Sequence, residues 1–356
     1  MNALESELTY VFDDALPDTG TTMEVAPGVR WLRMGLPFAL NHINLWLLAD
    51  QEKAADGTIR RGWAIVDCGI ANDATKRAWE QIFENELQGL PVLRVIVTHY
   101  HPDHVGLADW LCQRWQAPLL MTGGEYGYAR MMSAELPGAD GLSMLPHFRL
   151  HGLNDPEMIT QLDGRRNYYP SLVPSVPIAF LRLEESRAIK IGDHDWQVIT
   201  GSGHSPEHAA LYCASLKLMI SGDMVLPRIS TNTSVFAIEP EFDAVGNFLA
   251  SLNKFLPLPE DTLVLPSHGK PFRGLHRRIA QLHAHHADLL EEVRQACNTA
   301  PRSAADIVPL MFPRALDAHQ LSFAMGEALA HLHRLWYAGE LTRTRDEDGV
   351  MRFSRA

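Results

Sequence analysis

The sequence contains few cysteines, no long apolar run and no excess of positive charge. No apolar stretch approaches the roughly 18 residues that span a bilayer, and the N-terminus has neither a basic start nor an apolar signal core. The cysteines lack Cys-x-x-Cys spacing, which argues against a disulfide framework or a zinc ribbon and is typical of a reducing compartment. We therefore expect a cytoplasmic protein that does not contact a membrane. The four cysteines are Cys68, Cys112, Cys213 and Cys297.

Acidic side chains outnumber basic ones, and histidine is frequent. The 43 Asp and Glu against 31 Lys and Arg give a formal net charge of -12, which works against broad electrostatic binding to nucleic acid or anionic membranes. A chain of 356 residues, 46% hydrophobic and 21% charged, is typical of one large α/β domain of roughly 250 residues with a small appended module. Several of the 17 histidines are clustered, and these clusters are the first candidates for a site.

The order of predicted strands and helices indicates a layered sandwich. Short apolar runs predict three strands between residues 29 and 67, a helix over 72–88 and a buried strand ending at His99. A second strand-rich half covers residues 188–221, and helices follow it. Two β-rich halves with helices outside favour a four-layer αββα sandwich over a doubly wound parallel sheet.

The chain divides into two predicted domains. We expect a catalytic domain over residues 1–298, with a helical insertion at about 124–187, and a small C-terminal domain over 299–356. The C-terminal pattern of two helices followed by a β-hairpin has the outline of a winged helix. Its long helix, Leu321 to Glu340, offers only Arg334 among strong cations. We therefore favour packing, pocket closure or homodimer formation over nucleic-acid binding for this domain.

The stretch His99-Tyr100-His101-Pro102-Asp103-His104 places four metal-ligand side chains within six residues. It follows a predicted strand and enters a predicted helix, where a loop leaves the core and can direct several side chains at one point. Two imidazoles at i and i+2 can reach one metal, and the Asp and His that follow can reach a second. A lone histidine would be read as structural, but four ligand types at this spacing are hard to explain as packing.

Three more ligand candidates lie at predicted strand ends. They occur in Gly203-His204-Ser205-Pro206, in Ser221-Gly222-Asp223 and in Pro266-Ser267-His268-Gly269. The glycines beside them allow the backbone to approach closely, as a crowded metal centre requires. The histidines at 283, 285 and 286 lie on a predicted helix at spacings that do not converge, so we interpret this stretch as a solvated or linker-facing helix.

These motifs, in this order, resemble those of the metallo-β-lactamase-fold hydrolases, over residues of about 25 to 295. The resemblance implies that His99, His101 and His204 bind one metal. It also implies that Asp103, His104 and His268 bind the second metal and that Asp223 bridges the two ions.

The same resemblance assigns supporting residues and a cofactor. Asp67, which the residues alone would mark as a strand-end turn, matches the aspartate that steadies the metal loop in this family. His208, four residues after His204, is expected to support the ligands or the core. The cofactor would be two divalent metal ions, zinc first, with iron or manganese as alternatives. The pair Asp103-His104, where a Glu would stand, argues against the di-iron redox members.

The chemistry expected from such a site is hydrolysis. A metal-bridging hydroxide would attack the substrate, and Asp103 would handle the proton as the catalytic residue. The leading interpretation is hydrolysis of a small ester, thioester or lactone, as in the glyoxalase II-like hydrolases, although the C-terminal region differs from theirs. The alternative is a metal-dependent phosphodiesterase or endoribonuclease, as in the β-lactamase-like subgroup with a winged-helix-like tail. A binding protein without activity is the third interpretation, and the complete ligand set weighs against it.

The substrate pocket is expected in the long insertion. Its length exceeds what a plain connection needs, and such segments are typically lids or binding walls. Aromatic residues of this region are the candidates for the lining, and core or surface packing is the alternative interpretation for each of them. The partner is expected to be a small molecule. The candidates are Tyr126, Tyr128, Tyr168 and Tyr169.

Overall fold

The computed structural model describes residues 4–38, 40–54, 56–163 and 168–356. The strands are β1 (Met23–Ala26), β2 (Val29–Gly35), β3 (His42–Lys53), β4 (Ile59–Val66), β5 (Val92–Ile96), β6 (Leu119–Met121), β7 (Leu181–Arg182), β8 (Ala188–Ile191), β9 (His194–Gly201), β10 (His208–Cys213), β11 (Leu218–Gly222), β12 (Leu263–Pro266), β13 (Leu341–Arg345) and β14 (Met351–Arg355). The helices are α1 (Asp73–Asn85), α2 (Pro102–Val105), α3 (Ala108–Trp115), α4 (Gly123–Ser133), α5 (Gly141–Leu150), α6 (Pro156–Asp163), α7 (Tyr168–Leu172), α8 (Ala244–Asn253), α9 (Leu275–Thr299), α10 (Ala304–Met311) and α11 (Ala318–Tyr337).

Two sheets face each other at the centre of the molecule. The first contains β1 to β7 in chain order, antiparallel as far as β4 and parallel from β4 to β7. The second has the order β12-β11-β10-β9-β8 and is antiparallel except for its β11–β12 pair. Trp31 and Trp46 of one sheet share a buried core with Leu211 and Ile220 of the other. The predicted mostly antiparallel start of the chain is confirmed.

Helices cover the outer face of each sheet. On the first sheet, α1 buries Trp79 and Ile82, which are three positions apart on one helix face. Asn72 begins this helix, because its side chain accepts a hydrogen bond from the Thr75 backbone amide at 2.8 Å. On the second sheet, α8 and α9 pack through residues such as Phe248 and Ile279. The result is the predicted four-layer αββα sandwich.

The C-terminal segment has the predicted helices followed by a hairpin. Helices α10 and α11 begin with capping boxes at Ser303 and Asp317, and β13 pairs with β14. Its apolar side chains do not form a core of their own, since Ala328 and Leu332 of α11 share one cluster with Phe148 of α5. The segment therefore shares its apolar core with helices that precede residue 298, such as α5 and α8. The domain boundary at 298 and the winged-helix comparison stay predictions.

Two expectations about individual segments need adjustment. The insertion is helical over α4 to α7, but β7 adds a short parallel strand to the first sheet before residue 187. His286 is not on a solvated helix face: it is buried, and its Nδ1 lies 3.1 Å from Nε2 of His331 on α11. The N-terminal arm pairs with the sandwich at Thr9 and Arg273. None of the helices in the described ranges combines the length and apolarity needed to cross a membrane.

Candidate metal centre

The predicted ligands meet because five strands end at the same side of the sandwich. Strands β4, β5, β9, β11 and β12 lead directly into the segments that carry Asp67, His99, His204, Asp223 and His268. Loops at the ends of packed strands are fixed at one side by the core and can be shaped freely at the other. Glycines make two of these loops possible. Gly203 and Gly222 have φ of +105° and +53°, and a Cβ would lie 2.4 Å from the Ala244 carbonyl oxygen and 2.3 Å from the His208 ring nitrogen, respectively.

The first group of potential ligands contains three imidazoles. His99 Nε2 lies 2.9 Å from His101 Nδ1 and 3.2 Å from His204 Nε2. The ring of His99 is fully buried, whereas His101 and His204 are partly exposed towards the cleft. Three imidazole nitrogens at this separation, with a carboxylate of Asp223 beside them, could hold a metal ion.

The second group combines two imidazoles and a carboxylate. His268 Nε2 lies 3.4 Å from Asp103 Oδ2, and His104 Nε2 lies 3.7 Å from the same oxygen. The ring of His268 is fixed from behind, where its Nδ1 donates to the backbone carbonyl of His42 at 2.7 Å. Asn44 also ties β3 to this loop, because its Nδ2 donates to the Pro266 carbonyl at 2.8 Å. The ligand atoms of this group could hold a second ion.

Asp223 stands between the two groups and presents one oxygen to each. Its Oδ2 lies 3.4 Å from His204 Nε2 and 4.0 Å from His99 Nε2. Its Oδ1 lies 3.5 Å from His268 Nε2 and 3.6 Å from His104 Nε2. This is the arrangement that a carboxylate needs in order to serve two cations at once.

The hydrogen bonds behind the rings decide which nitrogen faces the carboxylates. Nδ1 of His204 donates to the Asn232 carbonyl at 2.8 Å, and Nδ1 of His104 donates to Asp67 Oδ2 at 2.8 Å. With the proton on Nδ1, the neutral ring directs the lone pair of Nε2 at an oxygen of Asp223. Two acceptors so close together repel each other unless a metal ion or a proton lies between them. Among the described residues, His104 Nε2 and Asp223 Oδ1 are both buried and lack a hydrogen-bond partner. The residues therefore fit a metal pair.

The pKa values of the histidines also show that the carboxylates favour a positive charge next to them. Burial alone would lower the pKa of His268, but Asp223 and Asp103 outweigh it and raise the pKa to about 10. Burial is likewise outweighed at His104, whose pKa rises to about 9 next to Asp67 and Asp103. In the first group, burial and the neighbouring imidazole of His204 lower the pKa of His101 to about 3. The two histidines of the second group thus take up protons when no metal competes, while burial keeps His99 and His101 neutral by lowering the pKa of both rings.

Asp67 supports the ligands from behind. It accepts hydrogen bonds from the Thr98 amide at 2.8 Å and from His104 Nδ1 at 2.8 Å. Its φ of 62° lies in the left-handed region, which is uncommon for a residue with a side chain. This conformation turns the carboxylate from the end of β4 towards the metal loop, where the prediction expects it.

His208 is also placed behind the ligands. Its Nε2 accepts a hydrogen bond from the backbone amide of Asp223 at 3.1 Å, and its ring lies 4.9 Å from the ring of His99. The side chain is fully buried. It therefore contacts the backbone of Asp223, whose carboxylate lies between the two groups of potential ligands.

Glu125 at the start of α4 was missed by the sequence reasoning. Its buried carboxylate accepts hydrogen bonds from the Tyr100 amide at 2.9 Å, from Ser205 Oγ at 2.6 Å and from the Glu207 amide at 2.7 Å. It thereby joins the loop of His99 to the loop of His204. Burial raises the pKa of Glu125 to about 7, although these hydrogen bonds act in the opposite direction. An isolated Glu in a helical pattern carries no sequence signal for this role.

A second connection that the sequence did not indicate comes from α11. Glu327 Oε2 accepts a hydrogen bond from Asn232 Nδ2 at 2.9 Å. The backbone carbonyl of Asn232 in turn accepts the hydrogen bond from His204 Nδ1. Next to it, the Val235 amide donates to the Gly326 carbonyl at 3.1 Å. A Cβ at 326 would lie 2.8 Å from the Ser234 side chain, so glycine allows the close approach. The C-terminal helix thus contacts the loop that orients a potential ligand.

A cavity of about 220 Å³ lies beside the first group of potential ligands. His101 and Pro102 form part of its wall. Most of the rest comes from α4 to α7, the segment at 135–140, the loop at 236–238 and α11. We call it the apolar cavity, because apolar and aromatic side chains form most of its lining. They include Met132, Met144, Phe148, Phe236 and Phe323.

Three of the four tyrosines expected in the pocket line this cavity. Tyr169 is buried and its hydroxyl donates to the Tyr100 carbonyl, while Tyr128 donates to a Glu239 carboxylate oxygen at 2.7 Å. Tyr168 lies opposite His319, with ring centroids 5.5 Å apart. Their contact with a substrate stays a prediction.

Tyr126 does not line the apolar cavity, and its assignment to the substrate pocket stays a prediction. Its ring stacks on Phe180 with centroids 4.0 Å apart, and its hydroxyl donates to the Pro177 carbonyl at 2.8 Å. Residues two positions apart on a helix do not share a face, so Tyr126 and Tyr128 of α4 point to different sides of the helix.

Comparison with known proteins gives consistent matches over the whole chain. A family model described as the metallo-beta-lactamase superfamily matches residues 58–268, and one described as the metallo-beta-lactamase-like C-terminal domain matches residues 290–356. The "Probable metallo-hydrolase YqjP" of Bacillus subtilis (strain 168) is 20% identical over 329 residues, which cover 85% of this chain and 90% of that protein.

Solved structures agree with the family models. The crystal structure of a beta-lactamase domain protein from Burkholderia ambifaria is 56% identical, covers 100% of both chains and superposes with a TM-score of 0.93. A metallo-beta-lactamase family protein from Thermus thermophilus is 25% identical, with a TM-score of 0.74 over 94% of this chain and 100% of that chain. Both similarities extend through the C-terminal segment as well as the sandwich.

Proposed function

Because this chain belongs to the metallo-beta-lactamase superfamily, we propose that it is a two-metal hydrolase that acts on a small ester, thioester or lactone. The single observation that carries the proposal is the position of Asp223, whose two oxygens face separate groups of potential ligands at 3.4 to 4.0 Å. When these imidazoles are neutral, their Nε2 lone pairs face the carboxylate, so a cation is needed on each side of it.

The two ions would be held by the seven side chains that the sequence predicted. One ion would bind His99, His101 and His204, and the other would bind the second group, with Asp223 shared between them. The donor set of imidazoles and carboxylates suits zinc first, with iron or manganese as alternatives. When bound, such a metal pair lowers the pKa of a coordinated water and polarises the oxygen of the substrate. The second group is Asp103, His104 and His268.

Asp103 is the proposed proton acceptor. Its side chain is 17% exposed and so can be reached from the cleft, whereas His104 beside it is fully buried. His104 and the nearby His268 hold the pKa of Asp103 below its usual range, to about 2, against the opposing effect of burial. A carboxylate that is ionised at neutral pH and reachable from solvent can take a proton from the attacking water.

The small substrate is supported by the apolar cavity next to His101. A compact, partly apolar ligand can bury its apolar part there while its reactive carbonyl lies at the ligand groups. The formal net charge of -12 works against nucleic acid as the substrate.

A substrate panel tests this proposal directly. The zinc-reconstituted protein would be assayed with S-acyl thiols, lactones, bis-p-nitrophenyl phosphate and a single-stranded RNA. We expect turnover of at least one thioester or lactone and loss of that turnover after chelation of the metal. Hydrolysis of the phosphodiester or the RNA alone would replace the proposal with the phosphodiesterase or ribonuclease alternative.

A further inference from the structure

The apolar cavity is closed on its far side by the C-terminal helix. His319, Ser322 and Phe323 of α11 occupy positions i, i+3 and i+4 and therefore share the helix face that lines the cavity. The opposite face of α11 is buried, for example through Ala328 and Leu332, in the cluster shared with α5 and α8. The position of this wall is thus fixed by packing.

We propose that the apolar cavity binds the apolar acyl group of the substrate, and that α11 limits the length of that group. This inference rests on the proposed hydrolytic function and deepens it, since it names the chemical class on the acyl side of the scissile bond. The proposal concerns where the acyl group binds and does not fix the position of the scissile bond.

Four polar side chains around the cavity already have hydrogen-bond partners within the protein. The hydroxyls of Tyr128 and Tyr169 donate to Glu239 and to the Tyr100 carbonyl, and Ser322 donates to the His319 carbonyl at 2.7 Å. Asp140 accepts a hydrogen bond from the Ser143 amide at 2.8 Å. A polar or charged ligand group next to these side chains would therefore lose its hydrogen bonds to water without gaining equivalent ones from the protein. An alkyl or aryl group makes no such hydrogen bonds in water and so has none to lose.

The apolar cavity adjoins the potential metal ligands through His101. His101 lines the cavity with one part of its ring, and its Nδ1 lies 2.9 Å from His99 Nε2 in the first ligand group. A carbonyl held at the ligand groups would have its acyl chain directed along Pro102 and Tyr100 into the helical walls. The thiol or alcohol part of the substrate would then leave on the open side of the cleft.

The test is a series of p-nitrophenyl esters with straight acyl chains from two to ten carbons. Each methylene that becomes buried is expected to raise kcat/KM by about fourfold, until the chain reaches α11 and the gain stops. Ser322→Leu should move this limit to shorter chains, because a larger side chain then occupies the end of the cavity. Phe323→Ala should move it to longer chains.

Ala338→Leu is the matched control, since it adds a similar apolar side chain to the exposed C-terminal end of the same helix. It should leave the chain-length profile unchanged. A second measurement uses methyl ketones of the same chain lengths, which cannot be hydrolysed, and follows their binding to the metal-free protein by calorimetry. Their affinity should show the same limit and the same response to Ser322→Leu.

The outcomes separate the two proposals. Esters that are hydrolysed at rates independent of chain length, or a profile that neither α11 variant shifts, would overturn the acyl-group assignment while leaving the hydrolase intact. Absence of hydrolysis for every member, with ketone binding that responds to Ser322→Leu, would overturn the hydrolase and keep the cavity as an apolar ligand site. Hydrolysis with the expected limit supports both.

Discussion

The ligand groups and the apolar cavity meet at His101 but are built in different ways. The ligand groups come from short loops at strand ends, and each side chain is fixed by a partner behind it, such as Asp67 behind His104. The cavity comes from helices separated by more than a hundred residues along the chain, from Tyr128 on α4 to Phe323 on α11. The reaction type is therefore encoded locally, whereas the choice of substrate depends on how distant helices pack.

The substitution with the largest expected effect should alter the ligand groups and leave the apolar cavity unchanged. Asp223→Ala removes the carboxylate shared by both ligand groups, so we expect the metal content to fall from two equivalents to one or none and hydrolysis to fall by at least about 1000-fold. Methyl ketone binding in the apolar cavity should be unchanged. Metal analysis, ester assays and calorimetry on the same preparation would check this, with the exposed Asp195→Ala as the control. Retained activity with one metal would remove the two-ion account.

A smaller effect is expected at Asp67. Asp67→Asn keeps the shape of the side chain and tolerates the left-handed φ of 62°, but it removes the charge opposite His104 Nδ1. Loss of such a partner typically weakens metal binding about 10- to 100-fold. Competition with a chromophoric chelator would measure it. Unchanged affinity at both ions would mean that Asp67 only shapes the turn.

The ligand groups could be predicted from the sequence because their residues form short, local motifs. The four ligand types between His99 and His104, and the glycines beside His204 and Asp223, lie within a few residues of each other at strand ends. Glu125 and Glu327 could not be found in this way. Each is a single carboxylate in a helix, and each becomes important only because folding buries it against a loop more than 70 residues away in the sequence.

Glu327 offers a test of whether the two regions are coupled. Glu327→Leu leaves Asn232 Nδ2 without its acceptor, so the loop that orients His204 should loosen and metal affinity at the first group should fall about tenfold. Glu327→Gln keeps an acceptor oxygen in place and should restore the affinity. Equal losses in the two variants, or no loss in either, would show that α11 does not act on the ligands through this contact.

The smallest expected effect is a pH dependence of stability from the same residue. Burial raises the pKa of Glu327 to about 7 in the folded protein, from 4.5 in the unfolded chain. The proton is then held more tightly by the folded state, so the contribution to stability is present at low pH and is lost as the pH rises from 4.5 through 7. Glu327→Gln cannot titrate. The free energy of unfolding of the wild type minus that of the variant should therefore fall by about 1 kcal/mol between pH 6 and pH 8 in metal-free protein.

Chemical denaturation of both proteins at several pH values would measure this difference. A difference that does not change with pH would mean that Glu327 is already ionised when buried. The hydrogen bond with Asn232 would then be between an amide and a charged carboxylate, and the tenfold effect of the Leu variant should be larger.

The most direct test of the account is the location of metal in crystals of the zinc-reconstituted protein. Anomalous scattering measured on either side of the zinc absorption edge should give two peaks separated by the carboxylate of Asp223. One peak should lie within bonding distance of His99, His101 and His204, and the other within bonding distance of Asp103, His104 and His268. A single peak, or peaks away from Asp223, would contradict the two-metal centre.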